Sequence, residues 1–251
     1  MAERTDWPDA PAASLIPRLR AAADPARARA MADYFKREPF LGVGVPERRA
    51  AQKVSWAGLP APSAEELCAA ERRLRAEPER EFQLAGIELL GRWHRALDPA
   101  RLDADVRASL LDRPWWDTID SLNSYVINPM VRAGPGLVDV MWRWNATNDQ
   151  WLIRASIQHQ RGNRADTDLP LLFALCEPHT ADRRFWVAKA IGWALRDAAG
   201  VDADAVADFV DAHPDLTAVA RREANRGVTR ARGSGGPLAA HPVDVVEGGA
   251  Q

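Results

Sequence analysis

Three segments of this chain hold residue types that can do chemistry together. Pro114-Trp115-Trp116-Asp117-Thr118-Ile119-Asp120 sets a carboxylate four residues after a tryptophan, one helical turn on, so both side chains share a face. Trp151-Leu152-Ile153-Arg154 adds an arginine, and Phe185-Trp186-Val187-Ala188-Lys189-Ala190-Ile191-Gly192-Trp193 adds a lysine and two more indoles. A carboxylate, an arginine and several indoles together suit a cationic, electron-poor substrate.

Each of these residues also has a plainer reading. Asp117 lies at the start of its helix, where negative charge favours the dipole. Asp120 is deeper, among apolar residues, and admits three readings: a local cap or bridge, an ion pair with an arginine, or a catalytic carboxylate. Arg154 sits inside an apolar helix. It either holds a phosphate bidentately, as lysine cannot, or pairs with a buried carboxylate, Asp120 being the obvious partner. Seven of the ten tryptophans lie between residues 115 and 193. Trp115, Trp142 and Trp144 are assigned to packing, whereas Trp116 and Trp193 stand beside polar residues and are candidates for an exposed platform.

The elements that must position these groups are helices. Ser63-Ala64-Glu65-Glu66 is a capping box ahead of an apolar-periodic run, and Glu79 to Leu97 reads as an amphipathic helix. Further helices are expected over about 14–22, 27–37, 100–111, 116–132, 136–146, 149–161, 168–177, 183–198, 202–211 and 216–226. No strand alternation stands out. Phe82, Trp116, Trp151 and Trp186 recur 34, 35 and 35 residues apart, each opening a similar helix. A period of that length, built from helix pairs, suggests an α-solenoid in which the same helix of each repeat lines one concave face. Asp120, Arg154 and Lys189 occupy corresponding places and would converge there.

Bulk properties exclude several classes. The chain has 251 residues and is 47% hydrophobic, enough to bury a core, and no run approaches the length of a membrane span. The N-terminus lacks the apolar core of a signal peptide. Cys68 and Cys176 form no Cys-x-x-Cys pair, which fits a reduced, cytoplasmic setting better than a disulfide framework. A net charge of −2 argues against a uniformly basic coat but permits a local basic face. The five histidines show no ligand spacing, so neither a metal site nor a cofactor is expected. Gly42-Val43-Gly44 is half of a dinucleotide fingerprint without its strand, and reads as a turn. Gly227 to Gln251 reads as a disordered extension preceded by Arg221, Arg222, Arg226, Arg230 and Arg232.

At these positions the chain resembles the bacterial DNA alkylation repair family, the HEAT-like-repeat alkylpurine DNA glycosylases. The resemblance runs from about Met31 to about Arg226. It is carried by Met31-Ala32-Asp33-Tyr34, Phe40-Leu41-Gly42-Val43, Pro46-Glu47-Arg48-Arg49, Glu79-Arg80-Glu81-Phe82-Gln83, the three segments above with Ala194-Leu195-Arg196, and Arg221-Arg222-Glu223-Ala224. It implies an all-α solenoid of HEAT-like repeats with a concave DNA-binding face. The family's catalytic carboxylate falls on Asp120, its active-site aromatics on Tyr34, Trp116 and Trp193, and its DNA-contacting arginine on Arg154. Lys189 joins the DNA-binding set by its place in the repeat. Asn123, Tyr125, Asn128 and Pro129 depart from the apolar run expected after Asp120.

The implied activity is hydrolysis of the N-glycosidic bond of cationic N3- or N7-alkylated purines in duplex DNA, with the base still stacked rather than flipped. The protein would act as a monomer, without cofactor or metal, with no membrane partner, in the cytoplasm at the nucleoid. Residues 1–12 would form an N-terminal extension, 13–228 the glycosylase domain and 229–251 a disordered tail. Competing readings are a damaged-DNA binder without catalysis, a resistance glycosylase for bulky alkylating natural products, and a helical-repeat protein scaffold.

Overall fold

The computed structural model describes residues 7–37 and 39–234. The protein is all-α: among these residues there is no strand. The chain divides into two compact units, Met1–Asp112 and Arg113–Gln251.

The first unit contains α1 (Ala10–Ala21), α2 (Pro25–Phe35), α3 (Val45–Ser55), α4 (Ala64–Arg75), α5 (Arg80–Arg92), α6 (Pro99–Arg101) and α7 (Arg107–Leu111), with a π-helical stretch, Leu102–Val106, joining the last two. The caps are those the sequence offers. The Asp24 side chain accepts from the amides of Ala26 and Arg27 ahead of α2, and Ser63 and Glu66 close the expected capping box on α4. Helix α3 was not expected; its sequence signal is Pro46 in the first turn. Nor is the start of the chain a free extension throughout residues 1–12. Trp7 is only 2% exposed, its indole Nε1 donates to the Pro60 carbonyl (2.9 Å), and α1 already begins at Ala10. Gly42-Val43-Gly44, expected as a turn, is irregular backbone that runs into α3, with Gly44 at its N-cap. The buried Glu81 carboxylate accepts from the amides of Leu41 (2.9 Å), Gly42 (2.9 Å) and Val43 (3.1 Å), so those donors are already engaged. Gly42 has φ +83°, and a Cβ there would stand 2.1 Å from the Asp24 carbonyl oxygen.

The second unit contains α8 (Trp116–Leu122), α9 (Asn128–Ala133), α10 (Val138–Asn145), α11 (Gln150–Gln158), α12 (Leu169–Cys176), α13 (Phe185–Ala198), α14 (Ala203–Ala212) and α15 (Ala218–Ser234). Helices α8, α11, α13 and α15 pack in that order, each against the next, and α10, α12 and α14 precede their partners in the chain. Within this unit the order is solenoid-like, as the repeat period implied. Its core gathers Ile153, Ile157, Leu175, Val187, Ile191, Leu195 and Val210. Aspartates cap α11, α12 and α14, through Asp149, Asp168 and Asp202.

The boundaries of the expected tail need correction. Helix α15 continues through Gly227 to Ser234, so residues 229–234 are helical; the rest of the tail lies outside the described residues. Gly227 is not a helix breaker here. A Cβ at Gly227 would lie 2.7 Å from the Arg196 carbonyl oxygen of α13, and one at Gly192 of α13 would lie 2.9 Å from Cβ of Glu223. The two glycines let the helices approach closely, at a cost in helical propensity of about 1 kcal/mol each.

Candidate functional site

Asp120 lies in the second turn of α8. Ahead of that helix the backbone at Trp115 is extended, and the Thr118 hydroxyl donates to the Trp115 carbonyl (2.9 Å) while accepting from its amide (3.2 Å). The helix then widens into a π stretch, Asn123–Ile127, before α9. Pro129 supplies a cause: it has no N–H to give the Tyr125 carbonyl, and a widened turn relieves the ring clash. The polar residues that depart from an apolar run also have a task. Asn128 donates to Asn163 Oδ1 (2.8 Å) and to the Arg161 carbonyl (3.3 Å), tying down the loop that follows α11.

That loop brings Arg161 to the site. The Asp120 carboxylate is gripped by Arg154, whose Nη2 reaches both oxygens (2.8 and 3.0 Å) and whose Nε reaches one (3.0 Å). Arg161 Nη1 stands 3.7 Å from the other side. The Arg154 side chain has no exposure and that of Asp120 11%. Burial pushes the Arg154 pKa down and Asp120 pulls it back up, and a guanidinium stays charged in either case. The third donor of Arg154, Nη1, goes to the Trp186 carbonyl (3.2 Å).

Trp193, half-buried on α13, is ringed by cations. Arg154 and Arg161 lie 5.3 Å from its ring centroid, Lys189 5.5 Å and Arg196 5.8 Å. Beneath this ring of cations is Glu223 of α15, a carboxylate only 3% exposed. It accepts from Arg196 (3.0 Å), Arg226 (3.2 Å) and Lys189 (3.5 Å). Asp197 accepts from Arg161 Nε (3.1 Å).

Asp120, Arg154, Trp193 and Lys189 are therefore assembled within one unit, and Trp116 is half-buried one turn before Asp120 on α8. Tyr34 belongs to the first unit, where it is 57% exposed on α2 and meets Phe35 edge to face at 4.9 Å. One open reading is decided and one expectation changes. Arg154 was read either as a phosphate contact or as the partner of a buried carboxylate, and its guanidinium is fully buried against Asp120. Trp142 was expected in the packing, but is 38% exposed, whereas Trp144 is buried and Trp115 joins Trp151 and Trp186 in a cluster of tilted and edge-to-face rings with centroids 5.2–5.9 Å apart. Sequence reasoning passed over Arg161 and Glu223. Glu223 was detectable: it follows Lys189 by 34 residues, just as Arg154 follows Asp120. Arg161 was not, because it lies beyond the end of α11 and depends on the loop that Asn128 holds. Among the described residues no group of histidines, cysteines or carboxylates could hold a metal ion, and no helix is long and apolar enough to cross a membrane.

Fold and site together define a class: an all-α protein whose second unit stacks helix pairs and gathers a carboxylate, guanidinium groups and indoles on α8, α11 and α13. Residues 15–227 match the sequence model of the DNA alkylation repair enzymes, and the chain belongs to that family. Its role is in alkylation-damage repair. The fold is similar to the solved structure of a predicted DNA alkylation repair enzyme from Enterococcus faecalis, with a TM-score of 0.74 at 23% identity over 81% of this chain and 95% of that one. A search of curated proteins gives no match.

Proposed function

We propose that the protein is a monofunctional DNA glycosylase that releases cationic N3- or N7-alkylated purines from duplex DNA. The observation that carries the reading is that Asp120 and Trp193 share the same two arginines, Arg154 and Arg161. Arg154 is a positioning residue: its bidentate grip fixes the plane of the Asp120 carboxylate. The surrounding cations suit the phosphates beside a lesion, and Asp120 is the carboxylate that Arg154 and Arg161 hold beside Trp193.

An alkylated purine already carries positive charge. When the C1′–N bond breaks, its electron pair goes to the purine nitrogen and neutralises the base, while positive charge moves to the deoxyribose. Asp120 stabilises that charge and orients a water. The water oxygen bonds to C1′ and its proton leaves to solvent. Trp116 and Trp193 pack on the sugar, Lys189 meets a flanking phosphate, and Tyr34 contributes a further aromatic contact to DNA. The indole of Trp193 acts as a platform rather than as an attractor of the developing cation, since four protein cations already engage it. Little acid catalysis is needed, so a site without a histidine suffices, and the base need not be flipped. The protein would act as a monomer, and both methyl lesions and bulkier adducts are candidate substrates.

The neutralising grip on Asp120 favours a second reading, a damaged-DNA binder without catalysis. Release of free base from a 7-methylguanine duplex separates the two. Wild type is expected to release the base, and Asp120→Asn to bind the duplex but release it ~10²–10³ times more slowly, the usual cost of removing one preorganised electrostatic group. Equal release by both proteins would sink the mechanism. Absence of release by wild type, from this duplex and from one carrying a bulky N3-adenine adduct, would leave the binder.

A further inference from the structure

We propose that helix α15 carries a second anchor for duplex DNA, a stripe of Arg222, Arg226 and Arg230 that grips the phosphodiester backbone away from the reacting sugar. The inference rests on the reading of the chain as a duplex-DNA enzyme.

The three arginines are spaced four residues apart and so follow one face of the helix, each step rising about 6 Å. With Ala218, Arg221, Asn225 and Thr229 they line an open trough of about 660 Å³. The short polar side chains of Asn225 and Thr229 lie between the cations and can donate to phosphate oxygens. Every exposed charge on α15 is positive, since its one carboxylate, Glu223, is buried. That concentration stands out in a chain whose net charge is −2.

Neighbouring arginines show what a purely structural role looks like. Arg221 turns inward, donating to the carbonyls of Val210 (3.2 Å) and His213 (2.7 Å) at the end of α14, and Arg232 pairs with Asp204 (2.6 Å). Arg226 does otherwise. It keeps 64% of its side chain exposed while its guanidinium rests on Glu223, the carboxylate that also holds Lys189 and Arg196 beside Trp193. Glu223 therefore joins the stripe to the candidate site, giving a continuous run of cations from Arg161 past Trp193 to Arg230. Such a run suits a polyanion with regularly spaced charges, the backbone of a duplex, and carries no means of reading sequence.

The test uses the full chain. Arg222→Gln with Arg230→Gln leaves the Glu223 network untouched, and binding is followed by fluorescence anisotropy on undamaged and 7-methylguanine duplexes over a range of salt. The double variant is expected to lose affinity for both duplexes by the same factor. Its log K against log salt slope should fall by about 1.8, near 0.9 per lost phosphate contact. Base release at saturating enzyme should be unchanged. Arg222→Lys with Arg230→Lys should restore the slope, because a point charge suffices for this contact but would not replace a structural guanidinium.

An unchanged affinity and slope in the glutamine variant overturns the proposal, as does failure of wild type to bind duplex at all. Loss of affinity for an acidic peptide but not for duplex would make the stripe a protein-docking surface, and the proposal falls. Failure of the glycosylase reading is separate: it shows as wild type that binds duplex with the expected slope yet releases no base.

Discussion

Each unit of this protein buries an arginine–carboxylate pair. In the first, Arg48 of α3 donates to Glu88 of α5 at 3.1 and 3.3 Å, with side chains 6% and 12% exposed. In the second, Arg154 and Asp120 are 0% and 11% exposed. By burial and geometry the pairs are near equals. Their company differs. Glu88 is closed off by Gln52 (2.6 Å) and Arg49 (3.2 Å), and burial, which pushes its pKa up, is outweighed by Arg48, so its carboxyl lies below the usual range. Asp120 shares its arginines with a half-buried indole. A buried ion pair is therefore not by itself the mark of a site, since such pairs also serve structure. The mark is a charged pair bordered by aromatic surface and a cluster of further cations.

The largest expected effect tests how alike the pairs are. Arg154→Met and Arg48→Met each leave a nearly buried carboxylate short of its partner, which costs about 3–5 kcal/mol. Denaturant unfolding should show comparable losses for both. Base release by the folded fraction should separate them: Arg154→Met falls with the orientation of Asp120, and Arg48→Met stays at the wild-type rate. Equal loss of release in both variants would break the distinction drawn above.

How much of this was legible in the sequence follows the range of the interactions. Helix starts marked by Ser63 and Glu66, or by Asp149, Asp168 and Asp202, are local chemistry and show in the residue order. The partnership of Asp120 with Arg154 was one of two open readings, and only packing decides that Arg154 turns inward. The end of α15 was misplaced because Gly227 is a breaker by propensity. Its opposite effect arises from α13, which no local pattern reveals. Arg161 was invisible for the same reason: a loop held by Asn128 delivers it, across 33 residues of chain. Glu223 was within reach of the repeat period, had that period been carried one step further.

An intermediate effect sharpens the contrast between indoles. Trp93 of the first unit meets Trp7 edge to face at 5.1 Å and has Arg92 at 4.7 Å, an arrangement that serves packing. Trp193 has four cations around it and no such role. Trp193→Leu should lower base release roughly tenfold, about 1.4 kcal/mol in the barrier, because the sugar loses its flat platform, with a smaller change in stability. Trp93→Leu should do the reverse, lowering stability and leaving release intact. Both are read from single-turnover release beside thermal unfolding.

The smallest effect distinguishes the units by their response to acid. In the second unit His159 is buried, its Nδ1 donating to the Ser156 carbonyl (2.6 Å), and burial lowers its pKa; burial likewise lowers that of His179. A histidine that folds neutral takes up fewer protons than the unfolded chain. Its contribution is fully present above the unfolded value, ~6.5, and is lost as pH falls toward the lowered folded value. In the first unit burial raises the pKa of Glu71, so stability there grows as pH falls through that value, and the loss from Glu88 begins only near ~4.3 and below. Between about pH 6.5 and 5.5 the second unit alone should weaken, by on the order of 1 kcal/mol per pH unit for His159. Hydrogen exchange at the two pH values, corrected for intrinsic rates, should show faster opening in α11 than in α4 and α5. His159→Gln, which keeps a donor but cannot titrate, should reduce the response, and adding His179→Gln should flatten it. Equal acceleration in both units, or a response that survives the double substitution, would place the acid-sensitive groups elsewhere.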